Sequence, residues 1–382
     1  MKILFLIDSL GTGGAEKSMV ELAKFIKREG HNITFLCLDR RKVSHENDVL
    51  ENGIEVFFFN NASFLLQLDF LIKYIKNEKP DIVHSVLYRS DILLRISRLF
   101  LKKIIAVQSL VSTPYTSVRS QDRNVPKFKL IIAKKLDIWT ARISPSYYHS
   151  ISKTVFDHYK ELFKIKNNYR IIYRGRCKNT HLPQKNNSQF LLMNVGRQEF
   201  AKGQIDILKA LKHLYDNLLS SKERNVKIQI LGFEGKSSKN LIEFIKENDL
   251  QSEVEIIGYV NNVEQRIVNA DVFVFPSYYE GLGGSLIEAF AAKIPCICSD
   301  IPVLREVVGN EKGALFCKPG DYIDLANKIL ELYRNKDLRN SLKNYSFTRF
   351  QNSFEIHTIH FEMLEMYKDL YLKKSGNKLL GN

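Results

Sequence analysis

The chain has 382 residues, 45% hydrophobic and 11% aromatic, enough to bury two ordinary cores, so its length points to two domains. Its formal net charge is +15, concentrated between Arg119 and Lys185, where 16 Lys/Arg stand against 4 Asp/Glu; the partner is therefore acidic, whether nucleic acid, anionic lipid or a phosphorylated substrate. No apolar stretch approaches the roughly 20 residues of a membrane-spanning helix, and five cysteines without a C-x-x-C pair read as reduced, cytosolic thiols rather than a disulfide framework.

The opening MKILFLIDSLGTGG has the charge and apolar run of a signal peptide, but the run is only about five residues long and stops at Asp8, so it reads as a first strand. Gly11 to Gly14 form a tight loop, AEKSMVELAKFIKREG an amphipathic helix stopped by Gly30, and NITFLCLD the next strand. IEVFFFN, a helix from about Phe64 to Asn77, PDIVHSV, a helix near Ile92 to Phe100, and KIIAVQS continue the alternation, which implies a parallel sheet. The polar stretch KNTHLPQKNNSQ, Lys178 to Gln189, has linker composition. FLLMNVGR, KIQILGF, VEIIGYV, DVFVFPS and PCICSD then repeat the strand pattern, and from about Phe347 the tail is helical with no further strand. The expected fold is α/β: two Rossmann-like, doubly wound parallel-sheet domains, residues 1–175 and 176–350, facing a cleft at the strand carboxyl ends, with residues 351–382 packing back on the first domain. His357 and His360, with Glu362 following, stand at helical spacing, but without an H-E-x-x-H or further ligands they read as a packed or solvated helix face, and no metal is expected.

Three glycine-rich junctions between strand and helix carry the chemistry. In IDSLGTGGAEK, Asp39 stands where a dinucleotide's ribose acid would be, but Glu16 takes the place of the third glycine of G-x-G-x-x-G, so an NAD-type site is disfavoured; Gly13 and Gly14 still offer N–H groups to an anion. In VGRQEFAKGQIDIL, Gly196 and Gly203 bracket Arg197 and Lys202, either two fixed cations for a departing phosphate or two solvated surface charges. In PSYYEGLGGSLIEA, Ser285 and Glu288 match a capping box, but a cap explains neither Glu280 nor the glycines. Gly281, Gly283 and Gly284 let the backbone approach a ligand closely with its N–H groups toward phosphate. Carboxylates beside a diphosphate need hydroxyls to accept from, which a sugar nucleotide supplies: ribose for Glu288, the transferred sugar for Glu280.

Glu280, seven intervening residues and Glu288 within PSYYEGLGGSLIEAFA resemble the signature of the family-four retaining glycosyltransferases, which have the GT-B fold. GGAEK, PDIVHS, GRQEFAKG and ADVFVFPS extend the resemblance over most of the chain in the family's order. It implies that Arg197 and Lys202 bind the donor diphosphate and Glu288 the ribose. Glu280 would face the donor sugar, with backbone contacts from Gly281 and Leu282; Gly13 and Gly14 would close over the phosphates from the opposite domain, and the base would lie near Tyr259. No metal or cofactor is implied, since the nucleotide sugar is a substrate. Many members carry two histidines one residue apart at the fourth strand; here His84 matches the first and Val86 replaces the second, so His84 stands either as a sugar contact or as a core histidine.

The expected function is retaining transfer of a hexose or N-acetylhexosamine from a UDP- or GDP-linked donor to a lipid-linked glycan, in O-antigen, capsule or exopolysaccharide synthesis. Basic helices around Leu93 to Lys103 and Pro126 to Trp139 suit an anionic membrane surface, placing the enzyme at the cytoplasmic face, unless they are merely solvated. A nucleotide-sugar epimerase or phosphorylase on the same architecture is the alternative. A nucleic-acid-binding protein is disfavoured, because no zinc-finger spacing, RNP-like motif or basic-region helix accompanies the charge.

Overall fold

The computed structural model of the chain describes residues 1–59, 62–101, 104–122, 126–184, 189–220 and 223–379. The chain divides into two compact units. One combines Met1–Ser112 and Lys127–Gly175 with the chain from Ile356 onward; the other combines Thr113–Pro126 with Arg176–Glu355.

The first unit is built on a seven-stranded parallel sheet of β1 (Lys2–Ile7), β2 (Asn32–Cys37), β3 (Glu55–Phe58), β4 (Ile82–Val86), β5 (Ile105–Leu110), β6 (Tyr147–Ser150) and β7 (Tyr169–Ile171), in the order β3-β2-β1-β4-β5-β6-β7. After Lys2, strand β1 is apolar because both of its faces are covered, and alternate residues go to opposite layers. Ile3, Phe5 and Ile7 pack with Met19, Val20 and Ala23 of the Gly14–Arg28 helix, and Leu4 and Leu6 with Leu71, Ile75, Leu93 and Leu94 on the other side. The sequence pattern missed β6 and β7: YYHS and YRI carry no apolar run, and their strand character comes from pairing with β5 and with one another.

The tail is not one helix. The Lys336–Ser353 helix stays in the second unit, the chain breaks at the fully buried Phe354, and the Ile356–Leu379 helix enters the core of the first unit through Ile359, Met363, Leu364, Met366 and Tyr367. His357 and His360 rest against Phe25 there, with ring centroids 6.4 and 5.3 Å away.

The second unit holds β8 (Phe190–Val195), β9 (Val226–Leu231), β10 (Val254–Gly258), β11 (Val272–Phe275), β12 (Cys296–Ser299) and β13 (Leu315–Cys317), all parallel, in the order β10-β9-β8-β11-β12-β13. The strand order reverses between β8 and β11, and such a switch point leaves a crevice at the strand carboxyl ends where ligands bind. Among the described residues no helix is long and apolar enough to cross a membrane.

Candidate active site

The crevice beside β8 and β11 brings together residues far apart in sequence. After β8 the chain runs through Gly196 and Arg197 into a short 3-10 turn, Phe200–Lys202, and then Gly203 opens the Gln204–His213 helix. Gly203 has φ +62°, and a Cβ there would lie 2.1 Å from the Pro276 carbonyl oxygen, so only glycine lets this loop meet the end of β11. The Tyr278 N–H donates to the Ala201 carbonyl at 2.8 Å, locking the two loops edge to edge. Beneath them the Tyr278 hydroxyl donates to Asp206 Oδ2 at 2.6 Å, and burial, with that carboxylate beside it, pushes the phenol well above its ordinary range.

Across the joined loops Lys202 Nζ meets Glu280 Oε1 at 2.5 Å, with side chains 25% and 11% exposed. The lysine stem lies over Gly196, its Cδ 3.4 Å from where a Cβ would be, and its ammonium faces the Phe275 ring at 5.6 Å. This half-buried cation and carboxylate neutralise one another. A ligand bearing both phosphate and hydroxyl groups can divide them, the phosphate accepting from lysine and a hydroxyl donating to glutamate. Arg197 is exposed at the mouth of the same loop and forms no ion pair among the described residues, so its charge is available to an incoming anion.

The capping-box reading of Ser285 and Glu288 fails. The N-cap of the Gly284–Ala291 helix is Gly283, at φ +88° and with no side-chain cap, which makes Ser285 the second residue of the helix rather than its cap. Glu288 pairs instead with Arg176, whose Nε donates to Oε1 at 2.8 Å. Leu282 is buried, whereas Gly281 is half-buried at the rim. Tyr259 follows β10, is 40% exposed, and stacks on Phe233 with centroids 4.0 Å apart, offering an aromatic face at the same end of the sheet.

Sequence reasoning missed Arg176 as a site residue. Its charge was counted in the basic stretch, but nothing local marks a partner 112 residues away. A cavity of about 520 Å³, lined by Gln189, Lys227, Glu253 and Arg266 among others, lies at the amino ends of β8 to β10 and belongs to the wrong edge of the sheet for this chemistry.

His84 is corrected to a core residue. It is fully buried in the first unit and both of its ring nitrogens are engaged. The Ile172 carbonyl can only accept, which fixes the proton order along the chain: His149 Nε2–H donates to it at 2.9 Å, Ser109 Oγ–H to His149 Nδ1 at 2.8 Å, His84 Nε2–H to Ser109 Oγ at 2.8 Å, and the Tyr367 hydroxyl to His84 Nδ1 at 2.5 Å. Burial holds both histidines neutral, depressing His149 to about 4 and His84 well below its ordinary range. Gly13 and Gly14 begin the Gly14–Arg28 helix as expected, but a Cβ on Gly13 would be 2.4 Å from a Glu16 carboxylate oxygen, so the chain's own acid lies against that helix start.

The two basic helices part company. In the Tyr88–Ser97 helix Arg95 is buried, with Nη1 2.6 Å from Asp137 Oδ1 and Nε donating to Gln108 Oε1 at 2.9 Å; Lys102 and Lys103 lie outside the described residues. In the Lys127–Ile143 helix Phe128, Ile131, Ile132, Leu136, Trp139 and Ile143 form one exposed stripe, Phe128 at 72% and Trp139 at 58%, with exposed Lys135 and Arg142 inside it and Lys127 and Lys129 at its start.

A family model described as glycosyl transferases group 1 matches residues 179–349, and one described as glycosyltransferase family 4 matches residues 12–176. The capsular polysaccharide biosynthesis glycosyltransferase CapM of Staphylococcus aureus is 23% identical over 375 residues, covering 93% of this chain and 94% of its own. The Escherichia coli UDP-Gal:alpha-D-GlcNAc-diphosphoundecaprenol alpha-1,3-galactosyltransferase is 24% identical over 389 residues, covering 96% and 95%. Anabaena HepE, solved with UDP-glucose, matches with a TM-score of 0.81 at 18% identity, over 97% of this chain and 100% of that one, a likeness of fold.

Proposed function

The chain belongs to the family-four glycosyltransferases of GT-B fold, and from that premise we propose that it transfers a hexose or N-acetylhexosamine, with retention, from a UDP- or GDP-linked donor to a lipid-linked glycan in cell-surface polysaccharide synthesis. The observation that carries the donor reading is the Lys202–Glu280 pair at the switch point between β8 and β11, with Arg197 beside it. Lys202 and Arg197 take the donor diphosphate and stabilise the charge that grows on it as the glycosidic bond breaks, which asks no metal of the protein. Glu280 is released from lysine to accept from hydroxyls of the transferred sugar. Glu288 accepts from the ribose, Gly281, Leu282, Gly283 and Gly284 bring backbone to the ligand, and Tyr259 lies toward the base. For front-face attack the leaving phosphate oxygen accepts the acceptor proton, so no carboxylate has to act as nucleophile.

The acceptor reading is supported by the relatives' names, one acting in capsule synthesis and one on a diphosphoundecaprenol-linked sugar. The exposed stripe on Lys127–Ile143 adds a surface for anionic lipid: apolar side chains enter the headgroup boundary while Lys127, Lys129, Lys135 and Arg142 meet lipid phosphates.

Calorimetric titration with UDP and GDP tests the donor site. Saturable binding of one nucleotide, strongly weakened in Glu288→Ala, is expected, and binding of neither overturns the reading. Incubation with sugar nucleotides and a lipid-linked acceptor, followed by NMR of the new linkage, tests retention; an inverted anomer or a free epimerised sugar nucleotide would replace this function by another. Co-sedimentation with anionic vesicles should fall as salt rises and be lost in Trp139→Ser; no binding at low salt removes the membrane surface from the account.

A further inference from the structure

We propose that Arg176 positions Glu288 for the ribose of the donor, and thereby sets the preference of the second unit for a ribonucleotide over its 2′-deoxy form; the inference rests on the donor reading above. Arg176 is the first residue of the long Arg176–Glu355 segment of the second unit. Its backbone is anchored, because its N–H donates to the Phe354 carbonyl at 2.8 Å and it bridges to Glu355 where the chain returns. From this fixed point the side chain reaches Glu288, and both side chains are only 13% exposed.

The guanidinium lies against the first residue of the Gly284–Ala291 helix. A Cβ on Gly284 would be 2.2 Å from Arg176 Nη2, so glycine at 284 is what makes room for the arginine. A cation at a helix amino terminus is opposed by the helix dipole. The helix therefore does not draw Arg176 there; the Glu288 carboxylate does. The surrounding residues Leu286, Ile287, Ala289 and Phe290 are buried, whereas Ser285 and Glu288 share the open face of this helix. A glutamate on such a face samples several rotamers unless something holds it. One charge-assisted bond to Oε1 selects a single orientation and turns Oε2 to a vicinal pair of hydroxyls. A lysine would keep the charge without the planar fork, so it replaces the arginine only in part.

The test compares wild type, Arg176→Gln, Arg176→Lys, Glu288→Gln and the Arg176→Gln/Glu288→Gln double variant, titrating each calorimetrically with UDP and 2′-deoxy-UDP, and with GDP and 2′-deoxy-GDP, beside a urea unfolding curve. Wild type is expected to hold its ribonucleotide about tenfold or more above the deoxy form. In Arg176→Gln that ratio collapses toward one, mostly through weaker ribonucleotide binding, Arg176→Lys falls between, and the double variant is no worse than Glu288→Gln. A ratio that survives in Arg176→Gln, whether or not stability falls, makes the pair a structural clip and overturns the inference while the donor reading stands. Wild type that binds neither nucleotide overturns the donor reading and this inference with it.

Discussion

The two units place the same kinds of side chain at opposite depths. In the first, Arg95 and Asp137 are 1% and 6% exposed and join Gln108, Ser85 and Asp91 in a closed network, while His84 and His149 share a relay that ends on a backbone carbonyl. In the second, Lys202–Glu280 and Arg176–Glu288 sit at a sheet edge, with side chains 11% to 25% exposed. The buried set is saturated and has nothing left for a ligand; the rim set is half-buried, and a ligand with phosphate and hydroxyls can take both halves of a pair such as Lys202–Glu280. Depth, rather than residue type, separates the groups that specify the fold from those proposed to serve chemistry.

Breaking one member of each set sharpens that contrast most. Arg95→Ala leaves Asp137 buried without its cation and should lower unfolding free energy by about 3–5 kcal/mol in a urea titration. Lys202→Ala should cost little stability and cut turnover by about 10²–10³, read from product formation at saturating donor. If Lys202→Ala unfolds the protein while keeping specific activity, or Arg95→Ala is silent, the division between the two sets is wrong.

Acid separates the units next. Burial depresses His149 and His360 of the first unit to about 4, against about 6.5 in an unfolded chain. Between these values the unfolded state binds the extra protons, so stability is present above pH 6.5 and is lost as pH falls, by about 1.4 kcal/mol per pH unit for each histidine. Asp91 acts the other way, since burial raises its carboxyl to about 8. The folded state keeps that proton while the unfolded chain loses it at about 3.9, so this contribution falls as pH rises from there to about 8. Asp91→Asn should steepen the acid loss, and His149→Gln should flatten it, in unfolding measured from pH 4 to 8. An unchanged pH profile in both variants contradicts the burial of these groups.

The smallest effect expected is that of Tyr367→Phe, which removes the donor to His84 Nδ1 and leaves that nitrogen buried and unpaired, at a cost of about 1–3 kcal/mol in stability. Sugar transfer per folded molecule should not change. A turnover defect in Tyr367→Phe without loss of stability would return His84 to the catalytic groups.

Much of the architecture was legible because a strand covered on both faces must be apolar: KILFLI and DVFVFPS announce themselves, whereas YYHS is too polar and LFC, at three residues, too short to do so. The acids Glu280 and Glu288 were legible from the glycines beside them, and Lys202 from its strand-to-loop context. Their partners were not. Lys202 and Glu280 are 78 residues apart, and a local pattern carries no register between two crossovers of a sheet. The capping box at Ser285 was a false local signal, because the left-handed turn at Gly283 sets the cap two residues earlier.

By itself the sequence determined the alternation of strands and helices and the glycine-rich loops with the charged residues beside them, because periodicity and backbone freedom are local properties of a chain. Tertiary structure alone decided which charges are spent: His84 met Tyr367 only when the last helix entered the first core, Arg95 met Asp137 across two helices, and Arg176 met Glu288 from the crossover. Burial and pairing depend on distances in space, and those are set only when the sheets and their helices close on one another.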